Sequence, residues 1–128
     1  MSIRWTDTYK SGHEQIDAEH QQLFELVNQF LQASDKGSLT LNAMGMFKYT
    51  REHFTHEEDL MRELGYPNIR DHVRQHNELL SRLNGIAENI ANDTLDKPDL
   101  ASFLSHWLLN HIGSADAELA GYIRLQAT

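Results

Sequence analysis

Residues 53–76 have the sequence HFTHEEDLMRELGYPNIRDHVRQH. Within it, apolar side chains and histidines recur at spacings of three and four residues, the period of an α-helix with one buried face. Residues 65–68, which include Gly65 and Pro67, interrupt that period in the way that a tight turn does. The stretch therefore predicts two neighbouring helices that direct histidines toward a shared interior.

The same period extends outward on both sides of this pair. Breaks fall at residues 35–38 and 92–98, and Pro98 is suited to the first turn of the helix that follows. Ser38 or Thr40 is expected to cap the second helix. We predict four helices, at about residues 17–35, 40–64, 69–92 and 97–122.

Four helices of similar length joined by short loops favour one fold class. No segment shows the period of two that marks a half-buried strand, so the predicted class is all-α. Short connections between long helices favour an antiparallel up-down-up-down four-helix bundle, which we expect to comprise residues 1–128 as a single domain. Residues 1–14, with Trp5 and Tyr9, would form an N-terminal arm packed across the bundle.

The composition is that of a globular domain and excludes several classes of function. Hydrophobic residues make up 40% of the 128 positions and charged residues 23%, which is ordinary for a soluble protein. The absence of cysteine excludes disulfides, thiolate zinc sites and iron–sulfur clusters. A net charge of -8 without a basic cluster argues against nucleic acid as a partner. With no secretory leader and no apolar run of roughly 20 residues, we expect no membrane insertion and a cytoplasmic location.

Histidine is the unusual component, because the chain contains eight. Six polar side chains occupy positions that the helical period assigns to the interior: His20, His53, Glu57, His72, His76 and His111. Burying one such group without a partner costs about 1–3 kcal/mol, and an ionised carboxylate costs far more. A bound cation removes that cost, because it takes imidazole nitrogens and carboxylate oxygens as ligands. The pattern therefore predicts a metal site in the bundle interior.

The spacing of these residues along the helices supports the metal site. Two pairs lie four residues apart and so project from one helix face: His53 with Glu57, and His72 with His76. His111 and Asp116 are five residues apart, which a regular α-helix separates by roughly 140°. Both face the interior only if the backbone widens locally. We therefore predict a π-type turn near Gly113, where a missing Cβ would ease the distortion.

The number of donor atoms indicates how many ions the site holds. Five histidines offer five bonds, and two carboxylates that each bridge two ions offer four more, which is too many for one ion. Two six-coordinate ions with a hydroxide bridge would leave one position open. Imidazole and carboxylate ligands without thiolate fit iron or manganese better than structural zinc, which prefers four ligands. An open position beside a redox-active pair in an apolar bundle is suited to a small diatomic ligand.

Four motifs together resemble the hemerythrin family in its single-domain bacterial form: Ile16-Asp17-Ala18-Glu19-His20, His53-Phe54-Thr55-His56-Glu57-Glu58, the His72/His76 pair, and Trp107-Leu108-Leu109-Asn110-His111 with Asp116. The resemblance extends from about Trp5 to Tyr122. It implies two iron ions, Fe2+ or Fe3+, bridged by Glu57, Asp116 and an oxo or hydroxo group. One iron would be held by three histidines and the other by two, divided as His72, His76 and His111 against His20 and His53.

The resemblance also implies a ligand and a pocket. Dioxygen would bind at the open position of the two-histidine iron, and small anions such as azide would bind in the oxidised form. Four side chains would line the ligand pocket: Phe54, Trp107, Ser114 and Leu119. Many relatives carry an aliphatic residue in place of Ser114 and an aromatic one in place of Leu119. Glu19 is expected to accept a hydrogen bond from a ligand imidazole and to fix its orientation.

The remaining polar residues of these motifs are predicted to be exposed to solvent. They fall off the buried faces of their helices: His13, His56, His106, Glu58 and Asp59. Among them His56 is of most interest, because it directly precedes Glu57.

Three functions are compatible with such a site. Reversible dioxygen binding, for transport, storage or local delivery to an oxygen-consuming enzyme, needs no acid or base beyond the ligands, and we predict no catalytic residue and no enzyme activity. The alternative is a di-iron redox enzyme of the peroxidase or nitric oxide reductase type. Di-iron enzymes typically have ligand sets rich in carboxylates, however, and this set is rich in histidine. An iron store or an oxygen-sensing module is the third hypothesis. Five histidines and only two carboxylates favour dioxygen binding.

Overall fold

The computed structural model describes residues 3–126, and most of them are helical. Six α-helices follow one another: α1 (Glu14–Gln32), α2 (Lys36–Leu64), α3 (Ile69–Asn84), α4 (Ile86–Ala91), α5 (Lys97–His111) and α6 (Ala117–Gln126). Gly85 keeps helical backbone angles between α3 and α4, and a π-helical turn, Ile112–Asp116, joins α5 to α6. The helices thus form four rods, and the predicted all-α four-helix bundle is confirmed. Among the described residues, no helix is both long and apolar enough to cross a membrane.

Local chemistry at the two ends of α2 sets its length. The Asp35 carboxylate accepts a hydrogen bond from the Ser38 backbone N–H at 2.9 Å. Asp35 is therefore the cap, rather than Ser38 or Thr40, and α2 begins earlier than expected. Gly65 ends the helix with a φ of 64°, a left-handed conformation that glycine adopts without strain.

The other helix boundaries also differ from the expected ones by a few residues. α1 begins earlier because the His13 imidazole accepts a hydrogen bond from the Ile16 backbone N–H at 3.3 Å. The predicted third helix is divided at Gly85. Pro98 lies in the first turn of α5, as the sequence indicates.

Two apolar clusters hold the rods together. The larger includes fully buried side chains from every rod, among them Phe30, Met46, Leu83, Ile86 and Leu104. The smaller is formed by Met61, Tyr66 and Leu119. Burial of apolar surface contributes about 25 cal/mol per Å², so these clusters supply the main driving force for folding. The buried histidines lie between them, because Phe54 of the larger cluster contacts His76 and Tyr66 of the smaller one contacts His72.

The N-terminal arm packs across α1, as the sequence predicts. The Trp5 and Tyr9 rings lie 5.7 Å and 5.8 Å from the Phe24 ring, measured between centroids. The backbone of Ile3 pairs with the side-chain amide of Asn28: its N–H donates to Oδ1, and its carbonyl accepts from Nδ2, both at 2.8 Å. Side chains of α1 therefore hold the arm against the bundle.

The π-helical turn between α5 and α6 confirms the prediction made from the five-residue spacing. It brings His111 Nε2 to 3.2 Å from Asp116 Oδ1. Gly113 lies within the turn, where an added Cβ would meet no atom of another part of the molecule within 4 Å. That a missing Cβ eases the backbone of the turn itself stays a prediction.

Candidate metal centre

The seven predicted ligands all lie in the bundle interior, where each exposes at most 4% of its surface: His20, His53, Glu57, His72, His76, His111 and Asp116. Their donor atoms form two groups, and the atoms of each group lie within 4.8 Å of one another. The three-histidine group comprises His72, His76 and His111 with both carboxylates. The two-histidine group comprises His20 and His53 with Glu57. All four rods contribute to this cluster.

The Glu57 carboxylate lies between the two groups. Its Oε1 is 2.6 Å from His72 Nε2 and 3.0 Å from His76 Nε2. Its Oε2 is 3.4 Å from His53 Nε2 and 3.6 Å from His20 Nε2. One oxygen therefore faces each group, which is the arrangement of a carboxylate that bridges two ions.

The Asp116 carboxylate, in the π-helical turn between α5 and α6, also turns one oxygen to each group. Its Oδ1 lies 2.9 Å from His72 Nε2 and 3.2 Å from His111 Nε2, on the three-histidine side. Its Oδ2 lies 3.1 Å from His20 Nε2, on the two-histidine side. Two carboxylates from two helices thus divide their oxygens in the same way.

Hydrogen bonds alone do not satisfy this cluster. Among the described residues, several of its buried polar atoms have no hydrogen-bond partner: both ring nitrogens of His20, His111 Nε2, Glu57 Oε2 and Asp116 Oδ1. Each such atom costs about 1–3 kcal/mol when it is left unpaired. A pair of cations would satisfy all of them except His20 Nδ1. The donors are nitrogen and oxygen without sulfur, a set that fits iron.

Electrostatics couples the two carboxylates to the imidazoles around them. Burial by itself would raise the pKa of Glu57, but the close approach of four imidazoles outweighs burial and holds that pKa well below its usual range. Burial likewise opposes the charged form of His20, yet Asp116 and Glu57 together raise the pKa of His20 to about 10 and that of His72 to about 9. Imidazole protons therefore neutralise the acids in the absence of metal, and metal ions would replace those protons.

Three of the imidazoles are oriented from behind. Each donates a hydrogen bond from Nδ1 to a partner outside the cluster: His53 to Glu19 Oε1 at 2.8 Å, His76 to Glu58 Oε2 at 2.9 Å, and His111 to Gln75 Oε1 at 2.7 Å. A proton on Nδ1 leaves the Nε2 lone pair free to face the interior. Glu19 thus makes the contact expected of it.

Glu58 and Gln75 were not identified from the sequence. Glu58 was expected to be a solvated acid, but only 18% of its side chain is exposed, which corrects that prediction. Both residues directly adjoin a predicted ligand, Glu58 after Glu57 and Gln75 before His76. That adjacency, which Glu19 shares through His20, is the feature of the sequence that would have indicated them.

Phe54 and Trp107, two of the four predicted pocket residues, stack on imidazoles of the three-histidine group. The Phe54 ring is parallel to the His76 ring, with 3.7 Å between centroids. The Trp107 indole stacks on His111 at 4.5 Å. These contacts restrict rotation of the two rings and bury them in an apolar environment.

Ser114 and Leu119, the other two predicted pocket residues, lie elsewhere. Ser114 is exposed, and its hydroxyl donates to the Asn110 carbonyl at 2.8 Å, a hydrogen bond along its own helix. Ser114 therefore faces solvent, which corrects its predicted pocket role. Leu119 is buried, but it packs with Met61 and Tyr66 in the smaller apolar cluster.

The two-histidine group is covered by a residue that the sequence assigned only to the arm. The Trp5 ring lies 6.2 Å from the His20 ring and packs edge-on against Phe24. The arm therefore forms one wall of the site. A lone tryptophan outside the helical period gave no indication of this role.

The fold and the site together define a class of protein: a four-helix bundle with a buried cation site lined by histidine and carboxylate side chains. The family model described as the hemerythrin HHE cation binding domain matches residues 11–123. This chain belongs to the hemerythrin family.

Individual relatives and solved structures agree with this assignment. Bacteriohemerythrin of Stenotrophomonas maltophilia is 30% identical over 125 residues, which cover 94% of this chain and 80% of the relative. Myohemerythrin of Theromyzon tessulatum is 25% identical over 118 residues, which cover 92% of this chain and 91% of the relative. A crystal structure of wild-type hemerythrin has a TM-score of 0.83 at 21% identity and covers 93% of this chain and 95% of that chain. The last likeness is one of fold.

Proposed function

We propose that this chain is a non-haem di-iron protein that binds dioxygen and releases it unchanged. The observation that carries the proposal is the division of Glu57 and Asp116, each of which turns one oxygen to each histidine group. This geometry supports two ions bridged by both carboxylates together with an oxo or hydroxo group. Iron held at these positions would supply the redox-active pair that dioxygen binding requires.

The two groups would supply different numbers of protein ligands to the two ions. His72, His76 and His111 with the two shared carboxylates provide five protein ligands for one ion. His20 and His53 with the same carboxylates provide four for the other. The position open to an external ligand therefore falls on the two-histidine side, where the ring of Trp5 lies nearest to His20.

The surroundings favour binding over catalysis. Among residues 3–126, the buried titratable side chains are the seven predicted ligands and Tyr66. Burial raises the pKa of Tyr66 to about 12, so it keeps its proton at neutral pH. Tyr66 also contacts His72, on the three-histidine side. Among the described residues, the two-histidine side therefore has no buried side chain besides the ligands themselves that could act as a general acid and assist cleavage of bound dioxygen.

The expected role is transport, storage or local delivery of dioxygen in the cytoplasm, with an oxygen-consuming enzyme as the recipient. In the oxidised form, small anions such as azide would occupy the same open position. Neither nucleic acid nor a membrane is a proposed partner.

Iron analysis combined with visible spectroscopy tests this proposal. We expect two iron ions per chain in protein produced with ample iron. The reduced protein should gain a visible absorption band in air, lose it when dioxygen is removed, and repeat the cycle. A single tightly bound ion, or a spectrum that changes irreversibly at the first exposure to air, would contradict the proposal.

A further inference from the structure

A chain of two hydrogen bonds connects the two-histidine group to the protein surface. Within the cluster, His53 donates from Nδ1 to Glu19 Oε1 at 2.8 Å. The second oxygen of the same carboxylate, Oε2, accepts a hydrogen bond from His56 Nδ1 at 2.7 Å. Half of the His56 side chain is exposed, whereas only 14% of the Glu19 side chain and 1% of the His53 side chain are exposed. The residue predicted to be a plain surface histidine is thus two hydrogen bonds from the metal cluster.

The chain crosses between two helices, so helix geometry alone does not produce it. Glu19 lies on α1, and both histidines lie on α2, one turn apart. A glutamate side chain has three rotatable bonds and loses entropy when it is held in one position. Two charge-assisted hydrogen bonds to opposite oxygens hold the carboxylate in place. Among the described residues, a third side chain hydrogen-bonds this carboxylate: Gln15 Nε2 donates to Oε2 at 3.4 Å.

The other two orienting residues are supported in the same manner. The Glu58 carboxylate, which orients His76, lies 3.8 Å from Arg62. The amide of Gln75, which orients His111, donates to Asp71 at 3.0 Å. Each orienting side chain therefore has a second residue that restricts it. For Glu19, that residue is His56.

We propose that His56 is a positioning residue for the two-histidine position. It holds the Glu19 carboxylate against His53 Nδ1, and this contact keeps the His53 proton on Nδ1 and the Nε2 lone pair directed at the metal. His56 thereby sets the affinity of the second ion without touching it. The inference rests on the proposed function only in requiring that two ions bind.

Titration of the full-length, metal-free protein with Co2+ alone, followed by visible absorption, measures the two affinities separately. Loss of a direct partner of a ligand histidine typically costs 10–100-fold in metal affinity. For His56→Ala, one step further out, we expect a loss of about threefold to tenfold in the second affinity and none in the first. His56→Gln restores a donor to Glu19 and should recover most of the loss. His106→Ala removes a histidine that is exposed on another rod and serves as the matched control.

A direct view of the His53 ring separates positioning from general stability. In the Zn2+-loaded protein the metal occupies His53 Nε2, so the ring proton lies on Nδ1, and nitrogen NMR reports how firmly Glu19 holds it. The Nδ1–H signal should be sharp and slow to exchange with solvent in the parent and His56→Gln, and broadened by exchange in His56→Ala. Melting temperatures of the metal-free proteins should match.

Each remaining outcome has a defined meaning. Equal second-site affinities in the parent and His56→Ala would overturn the inference alone, as would equal losses in His56→Ala and His106→Ala. Failure of His56→Gln to recover affinity would overturn the hydrogen-bond explanation. A parent that takes up only one Co2+ would contradict the di-iron proposal, and this inference with it.

Discussion

The two histidine groups share two carboxylates, yet they are built differently. In the three-histidine group, His76 and His111 are each fixed twice, by a hydrogen bond from Nδ1 and by a stacked aromatic ring. In the two-histidine group only His53 has a partner at Nδ1, while His20 Nδ1 has none among the described residues. Two imidazoles of the three-histidine group are thus doubly restrained, whereas His20 in the two-histidine group has neither kind of restraint within residues 3–126.

The walls of the two groups differ as well. Long helices packed through the main core enclose the three-histidine group. The arm covers the two-histidine group through Trp5, and the arm is tied to α1 by the pairing of Ile3 with Asn28. Segments held by few contacts open at a lower free-energy cost than core helices. This difference supports the proposal that the three-histidine side retains its ion and the two-histidine side admits a small ligand.

The largest expected effect comes from Glu57, one of the two carboxylates that both groups share. Glu57→Gln keeps the volume of the side chain but removes the charge that both ions need, so iron content should fall from two ions per chain to nearly none. Removal of an orienting partner alone typically costs 10–100-fold in affinity, and loss of a shared ligand should cost more. Glu63→Gln on the exposed face of α2 is the control. Retention of two ions by Glu57→Gln would break the assignment of Glu57 as the bridge.

Ligand substitutions within one group should separate the two ions. His53→Ala should leave one ion, in the three-histidine group, and abolish reversible dioxygen binding. His76→Ala should weaken binding of the ion in the three-histidine group. It should also destabilise the fold, because it removes the buried ring that is hydrogen-bonded to Glu58. Metal analysis and the visible spectrum of each variant check this prediction. Identical metal loss in the two variants would show that the groups do not act as separate positions.

Metal binding should stabilise the fold, and the gain should increase with pH. In the metal-free protein the pKa values of His20 and His72 are raised to about 10 and about 9. The stability that their protons contribute is fully present below the unfolded pKa of about 6.5 and is lost as the pH rises through 9 to 10. Metal requires the neutral imidazoles, so each ion must displace protons, and it does so more easily at higher pH.

Thermal unfolding measured with and without Co2+ checks the pH dependence. At 100-fold excess over the dissociation constant, binding contributes about 2.7 kcal/mol, which corresponds to on the order of 10 °C for a domain of this size. We expect the difference between the two melting temperatures to widen from about pH 6 to about pH 8. If the difference is absent, or narrows as the pH rises, metal does not displace protons from the imidazoles.

The sequence predicts six of the seven residues of the cluster because each breaks the apolar stripe of its own helix. A histidine that occupies a position where the helical period predicts an apolar side chain can be recognised from the sequence. Five such histidines together with Glu57 indicate a metal site. Asp116 is visible only through the requirement for a widened turn. The orienting residues Glu58 and Gln75 are different, because they lie one position off the stripe, where the period predicts solvent.

The wrong prediction for Ser114 has a physical cause in the same turn. In a regular α-helix, the residue three places after His111 shares its face. The π-turn uses hydrogen bonds from residue i to i+5, so more residues are needed for one revolution. Asp116 therefore comes under His111, and Ser114 is rotated outward.

Gly113→Ala should have a small effect, and a favourable one. A Cβ at this position would meet no atom of another part of the molecule within 4 Å, and the backbone is not left-handed. Alanine is about 1 kcal/mol more favourable than glycine inside a helix, so we expect stabilisation of up to about that amount. Metal content should remain at two ions, because Asp116 keeps its position. A destabilised variant that binds less metal would show that the widened turn needs glycine after all.

The smallest expected effect is that of Ser114→Leu on the lifetime of the oxygenated form. Ser114 faces solvent and donates to the Asn110 carbonyl, so its hydroxyl supplies no proton to the interior. Surface substitutions of this kind usually change free energies by no more than about 0.5 kcal/mol, or about twofold in a rate. Trp5→Ala is the informative contrast, because it removes the ring nearest His20 and admits water to the two-histidine side. We expect autoxidation to be several-fold faster in Trp5→Ala and unchanged within about twofold in Ser114→Leu, as measured by decay of the visible band. Slower decay in Ser114→Leu would mean that this side chain reaches the bound ligand in solution, and equal rates in all three proteins would remove the arm from the wall of the site.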